Sequence, residues 1–171
     1  VVFGVSCLVF GAHCSKYFAE HMLLGLYPFW SNAPQTPNTI HEIQSMKQII
    51  NTPQAPLPIG PYNQAVAFNG LLYVSGQIAI DPATGDLVLD NIEAETHRVL
   101  QNLHAILEAG GSSLQKVLKA TVFVKDMELF SRVNAVYGEY FKPEFAPARE
   151  TVQVSALPKF VNIEISVIAS V

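Results

Sequence analysis

The chain changes character near Met46, and the first element that the apolar pattern after this point predicts is a β-hairpin. Apolar runs at 64–68 and 71–75 flank Asn69-Gly70. Asn-Gly between two such runs is typical of a tight hairpin turn, because both residues tolerate positive φ. We therefore expect two antiparallel strands joined at this dipeptide.

Two later segments repeat apolar residues every three or four positions, which predicts two amphipathic helices. The first covers 92–109, and either Asp90 or Asn91 is suited to cap its start. The second covers 127–141 and should stop before Pro143, because proline lacks the backbone N–H that would continue a helix.

Strict alternation predicts three further strands, at 117–125, 150–156 and 161–169. We expect the last two to be antiparallel neighbours, because only the short turn at 157–159 separates them. Hairpin, helix, strand, helix and two strands make an α+β fold, in which two helices pack on one face of a mixed β-sheet.

The strand at 117–125 also predicts what covers the other sheet face. Its helix-facing row is expected to be Leu118, Ala120, Val122 and Val124. The opposite row contains Thr121 and Phe123, which are too apolar for a fully solvated face, so we expect oligomerisation through the sheet.

The composition excludes several functional classes. Half of the 171 residues are hydrophobic, which suffices for a core, and the net charge is −4 with no basic run. We therefore expect neither a nucleic acid nor a membrane as partner. Both cysteines, Cys7 and Cys14, precede residue 46, so the domain offers no disulfide, thiol nucleophile or cysteine ligand.

Residues 1–45 differ in character from the rest of the chain. Their apolar run is interrupted by His13, Lys16 and Glu20, and 31–39 has the composition of a loop. We interpret 1–45 as an N-terminal extension, poorly ordered or translated from upstream sequence, and 46–171 as the folded domain. A targeting or membrane-associating segment is the alternative.

Two charged residues occupy unusual positions. Glu164 lies in the middle of an apolar strand, where a carboxylate has to be solvated, paired or functional. Arg149 opens the preceding strand and could bind a carboxylate in bidentate fashion. As strand neighbours they could share a pocket or form a salt bridge, and spacing alone favours the salt bridge. His97 and His104 are better explained as a solvated or half-buried pair than as metal ligands.

Seven stretches resemble motifs of the Rid family (RidA or YjgF-like proteins), in the same order and spacing. They cover nearly all of 46–171 and none of 1–45. They are IGPYNQA at 59–65, VSGQI at 74–78, TVFVKD at 121–126, VN at 133–134, PAR at 147–149, SALP at 155–158 and IEI at 163–165.

The resemblance implies a chorismate-mutase-like fold and a homotrimer with a central barrel and sites in clefts between subunits. It implies hydrolysis of 2-aminoacrylate and 2-iminobutyrate to 2-keto acids and ammonia, as a 2-iminobutanoate/2-iminopropanoate deaminase, in the cytoplasm. No metal or organic cofactor is implied. Two alternatives remain: a regulatory trimer that binds small ligands without turnover, and an endoribonuclease or translation inhibitor.

Residue by residue, the resemblance assigns Arg149 to the substrate carboxylate and Glu164 to the attacking water. Five further positions match the family's cleft, namely Tyr62, Ser75, Gly76, Asn134 and Thr151. Core packing, a strand kink and a structural role remain the alternatives for Tyr62, for Ser75 with Gly76, and for Asn134. Thr151 replaces a cysteine seen in many members. Glu150 replaces a small residue, and strand geometry should direct its side chain away from that of Arg149.

Overall fold

The computed structural model describes residues 46–171, which form a six-stranded sheet with two α-helices. The elements, in chain order, are β1 (Gln48–Ile50), β2 (Ala65–Phe68), β3 (Leu71–Gln77), α1 (Ile92–Ala109), β4 (Val117–Val124), α2 (Phe130–Tyr140), β5 (Ala148–Gln153) and β6 (Ile163–Ser170). The strand order is β1-β2-β3-β6-β4-β5, and only β4 and β5 pair in parallel. The α+β class with a mixed sheet is confirmed.

The hairpin and the first helix form where the pattern predicts them. Asn69 and Gly70 have φ values of 50° and 75°, the conformation of a type I′ turn. At the start of α1, the Asn91 side chain accepts a hydrogen bond of 2.8 Å from the backbone N–H of Ala94. This cap satisfies a donor that the first helical turn leaves free.

The strand neighbours differ from our expectation, because β5 and β6 are not paired. β4 lies between them, parallel to β5 and antiparallel to β6. Helix α2 joins β4 to β5 as a crossover, which returns the chain in the same direction and makes the pair parallel. β5 is mostly exposed and suits the sheet edge, whereas β6 has alternate residues buried and takes an inner position.

Strand β4 also contains a bulge that the alternation did not predict. Its register with β6 shifts between Val117 and Lys119, so Val117 enters the core and Leu118 is 51% exposed. The assignment of Leu118 to the helix-facing row was therefore wrong. Strand β1, with three residues, is too short to show a period and was missed.

Between the helices and the sheet lies one apolar core, in which a buried carboxylate ties α1 to β6. Leu103, Ile106, Ile163 and Ile165 are fully buried there. Glu95 of α1 accepts hydrogen bonds from the backbone N–H and side-chain amide of Asn162, at 2.7 and 2.8 Å. Because Asn162 directly precedes β6, this contact fixes the strand that carries Glu164. In 46–171 no helix is long and apolar enough to cross a membrane.

Candidate functional site

A bulge in β3 creates the space for the carboxylate of Glu164. Val74 pairs with Val167 and Gln77 with Ile165, so β3 uses one residue more than β6 over this interval. Gly76 lies in the bulge, and a Cβ atom there would overlap Oε1 of Glu164. The position therefore requires glycine for the close approach of the carboxylate.

Glu164 and the bulge border a cavity of about 380 Å³. Tyr62, Ser75 and Gly76 also line it, so four of the residues predicted for the site lie together. The remaining lining is mainly apolar and consists of Pro56, Leu57, Ile59, Gln64, Gln77, Ile78, Ile80 and Pro158. Tyr62 is 46% exposed, so it is not a core residue.

The walls of the cavity are held by two buried amides that the sequence did not single out. Gln64 donates to the carbonyls of Ala55 and Pro56 at 3.0 and 2.8 Å, which fixes the segment leading to Leu57. Asn102 of α1 donates to the carbonyls of Ile78 and Ile80 on the other side. Only burial in the folded chain distinguishes these amides from ordinary surface residues.

Ser75 supports the cavity through its backbone and hydroxyl. Its N–H donates to the carbonyl of Gln64 at 3.0 Å, and its Oγ donates to the carbonyl of Asn63 at 2.7 Å. Because both donors are used, Ser75 shapes the bulge and offers a ligand only its acceptor capacity.

Glu164 is half-buried on the sheet face away from the helices, which we call the open face. It alternates with the fully buried Ile163 and Ile165 and pairs with Phe123 of β4. Burial raises the pKa of the Glu164 carboxyl above its usual range. A carboxyl with a raised pKa exchanges protons more readily near neutral pH, which suits it to proton transfer.

Glu164→Gln should stabilise the fold at neutral pH. A carboxyl whose pKa is higher in the folded than in the unfolded state makes stability fall as the pH rises between the two values, and the cost persists above both. The amide removes this cost, so the urea midpoint should exceed that of the wild type at neutral pH. Below about pH 4 the midpoints should converge. Equal midpoints at neutral pH would contradict this account of Glu164.

Arg149 lies elsewhere, on the edge strand β5 beneath helix α2. Its Nη1 donates to Oδ1 of Asn134 at 2.9 Å. The guanidinium carbon is 4.6 Å from the ring centroid of Tyr137 and 5.7 Å from that of Phe130. Thr151 follows two residues along the same strand and so shares a face with Arg149.

Within one chain, Arg149 and Glu164 are on opposite faces of the sheet. Arg149 pairs with Ala120, which is buried under the helices, whereas Glu164 pairs with Phe123 on the open face. The salt bridge between them therefore does not form. We call Tyr62, Ser75, Gly76 and Glu164 the acid half-site, and Asn134, Arg149 and Thr151 the arginine half-site.

The side chain of Glu150 points away from Arg149, as predicted. It forms an ion pair with Lys119 and accepts a hydrogen bond of 2.5 Å from Thr121 Oγ1, both on the open face. The hydrogen bond from Lys119, and then that from Thr121, hold the pKa of Glu150 below its usual range. Glu150 therefore does not oppose an anion bound at Arg149 of the same chain.

His97 and His104 each have their own neighbour. His97 Nδ1 lies 3.1 Å from Tyr140 Oη, and His104 Nε2 lies 3.6 Å from Glu108 Oε1. In the described part of the chain, no three His, Cys, Asp or Glu side chains group closely enough to hold a metal ion.

Comparison with known proteins shows which family the sequence is similar to. Residues 52–171 match the sequence model of a family described as Endoribonuclease L-PSP. A RutC family protein of Pyrococcus horikoshii is 53% identical over 124 residues, which are 72% of this chain and 98% of the relative. A 2-iminobutanoate/2-iminopropanoate deaminase of Bos taurus is 46% identical over 124 residues, 72% of this chain and 90% of the relative.

A solved structure agrees in fold. The crystal structure of YyfA from Yersinia pestis, described as a protein of unknown function of the conserved Rid protein family, has a TM-score of 0.72 and 51% identity. The match covers 74% of this chain and 100% of that protein.

Proposed function

This chain belongs to the Rid (YjgF-like) family, and from that premise we propose that it hydrolyses reactive 2-imino and 2-enamino acids to 2-keto acids and ammonia. The observation that carries the proposal is the half-buried carboxyl of Glu164, held against Gly76 in a largely apolar cavity. The bovine relative bears the name of this activity. Substrates of the class are 2-aminoacrylate and 2-iminobutanoate.

The separation of the half-sites supports assembly from several copies. One chain has its acid half-site on one sheet face and its arginine half-site on the other, so a complete site needs a second copy. Tyr73 and Phe68, on the open face of the sheet, are 43% and 40% exposed and would be covered by assembly. The proposal includes a homotrimer in which the sheets form a central barrel and each site joins two chains.

In such a site Arg149 fixes the substrate through its carboxylate. One guanidinium N–H is bound to Asn134, and the remaining donors can form the paired hydrogen bonds that a carboxylate accepts. Fixing one end of a small acid places its C2 atom at a defined position, which lowers the entropic part of the barrier.

Glu164 then handles the protons of the attacking water. The Glu164 carboxylate takes a proton from water while the water oxygen bonds to C2 of the N-protonated imine, which gives a carbinolamine. The protonated Glu164 returns that proton to the amino nitrogen. The C–N bond then breaks as the hydroxyl oxygen becomes the keto oxygen, the hydroxyl proton passes to the departing ammonia, and ammonium and the 2-keto acid leave. The cavity contributes a carboxyl with a raised pKa, and no nucleophile of the protein is needed.

The proposal predicts faster release of 2-oxobutanoate from 2-iminobutanoate in the presence of the full chain. An excess of threonine dehydratase generates the imine, and a dehydrogenase that consumes the keto acid reports its release. Acceleration above the spontaneous rate that Glu164→Gln abolishes is the expected result. A rate equal to the spontaneous one, from a correctly assembled protein, would contradict the deaminase function.

Ligand binding without turnover is the second candidate, because Arg149 and the cavity serve a binding protein equally well. Titration with 2-oxobutanoate would reveal it if hydrolysis is absent. The family description also names an endoribonuclease. The net charge of −4 and the lack of a basic run give an RNA backbone little attraction.

A further inference from the structure

The guanidinium of Arg149 has a buried aromatic ring beneath it. Its central carbon lies 4.6 Å from the ring centroid of Tyr137, well inside the range of a cation–π contact. Phe130 is farther away, at 5.7 Å. Tyr137 is therefore the closer of two aromatic contacts for a cation that otherwise projects from an exposed edge strand.

Tyr137 has the rigidity that such a support requires. Its side chain is only 5% exposed, and its ring stacks on Phe141 with a centroid distance of 4.5 Å and an interplanar angle of 29°. Burial and stacking on Phe141 together restrict the orientations of the ring. Arg149, in contrast, has a long flexible side chain, so the ring and Asn134 together restrict where its charge can lie.

The interaction involves the ring of Tyr137 and not its hydroxyl. Burial raises the pKa of Tyr137 to about 12, so the hydroxyl stays neutral and offers Arg149 no anionic partner. Within residues 46–171 this buried hydroxyl also has no hydrogen-bond partner. Phenylalanine at this position should therefore preserve whatever the tyrosine does for Arg149.

We propose that Tyr137 is a positioning residue that holds the Arg149 guanidinium in the orientation that binds a ligand carboxylate. The inference rests on the proposed role of Arg149 as the carboxylate anchor. It adds that the affinity for the acid depends on the electron-rich face of a ring that touches no substrate. Asn134 fixes one nitrogen of the guanidinium, and the ring fixes its plane.

The test is the affinity of the 171-residue chain for 2-oxobutanoate, measured by NMR titration in the absence of turnover. Tyr137→Phe should bind like the wild type, whereas Tyr137→Leu should bind about fivefold more weakly, the factor expected from one exposed cation–π contact. Pentafluorophenylalanine at position 137 keeps the ring's shape, reverses its charge distribution and should also weaken binding. The pentafluorophenylalanine variant tests the inference even if Tyr137→Leu does not fold.

Two controls separate positioning from general damage. Tyr140→Leu removes another aromatic ring of the same helix, one that lies against His97 and not against Arg149, and should bind the acid as the wild type does. The uncharged 2-oxobutanamide should bind all variants equally, because it lacks the carboxylate. Unchanged acid binding by the pentafluoro variant, or equal weakening for the amide, would overturn the inference.

The same titration distinguishes this inference from the proposed function. If Arg149→Ala binds 2-oxobutanoate as tightly as the wild type, Arg149 is not the anchor and the role of Tyr137 is overturned with it. If the protein binds the acid through Arg149 and Tyr137 but does not hydrolyse imines, the deaminase proposal fails and the positioning role is supported.

Discussion

Arg149→Ala should lower kcat/KM for 2-iminobutanoate roughly a hundredfold, the equivalent of about 3 kcal/mol for losing one partner of a charge-assisted carboxylate contact. The loss should appear in both KM and kcat, because an unanchored substrate binds more weakly and presents C2 less often to the water. Stability should change little. Arg149 is exposed in the single chain, and its side chain donates one hydrogen bond, to Asn134.

Arg132→Ala is the matched control for this loss of charge. Arg132 lies on the same helix as Asn134 and forms an exposed bidentate pair with Glu93, at 2.6 Å for both hydrogen bonds. Its removal should leave kcat/KM unchanged. Arg149→Lys should retain part of the activity, since it keeps the charge and loses the planar fork. Wild-type kinetics in Arg149→Ala would exclude it as the anchor.

Gly76→Ala should remove most of the activity and preserve the fold. The new methyl group would occupy the place of the Glu164 carboxylate, and the flexible end of that side chain can swing away at little cost in stability. Displacing the group that transfers protons should lower kcat at least a hundredfold, the lower end of what general acid–base catalysis contributes, or roughly 3 kcal/mol. Steady-state kinetics and urea unfolding of the same sample measure both effects.

Gly138→Ala is the corresponding control, because a methyl group at this exposed position of α2 meets nothing within 4 Å. It should keep full activity and gain about 0.5–1 kcal/mol in stability, as alanine is the better helix former. An active Gly76→Ala protein would show that the close approach of Glu164 to the bulge is not needed for catalysis.

Local elements were predictable because their signals are local. The period of 92–109, the cap at Asn91 and the turn at Asn69-Gly70 depend on neighbours in sequence, and all three are confirmed. The order of the strands was not predictable in this way. The short 157–159 turn favoured a β5–β6 pair, whereas the crossover through α2 places β5 beside β4.

Family motifs predicted which residues belong to the site, whereas only the folded structure shows how those residues are arranged. The resemblance assigned Arg149 and Glu164 to one site, and no sequence pattern shows that they lie on opposite faces of a single chain's sheet. The cavity lining by Gln64 and the contact of Tyr137 with Arg149 were missed, because both depend on burial beside residues distant in sequence. The assignments for residues 1–45 fall outside the described part of the chain and stay predictions.

The central claim, that each site joins the arginine half-site of one chain to the acid half-site of another, is tested most directly by subunit complementation. Arg149→Ala and Glu164→Gln chains carrying different tags are co-expressed, and oligomers containing both are isolated through the two tags. Each mixed trimer contains one site with both residues intact, so we expect about one third of the wild-type activity from two nearly inactive parents. Mixed oligomers that are as inactive as their parents would contradict the claim.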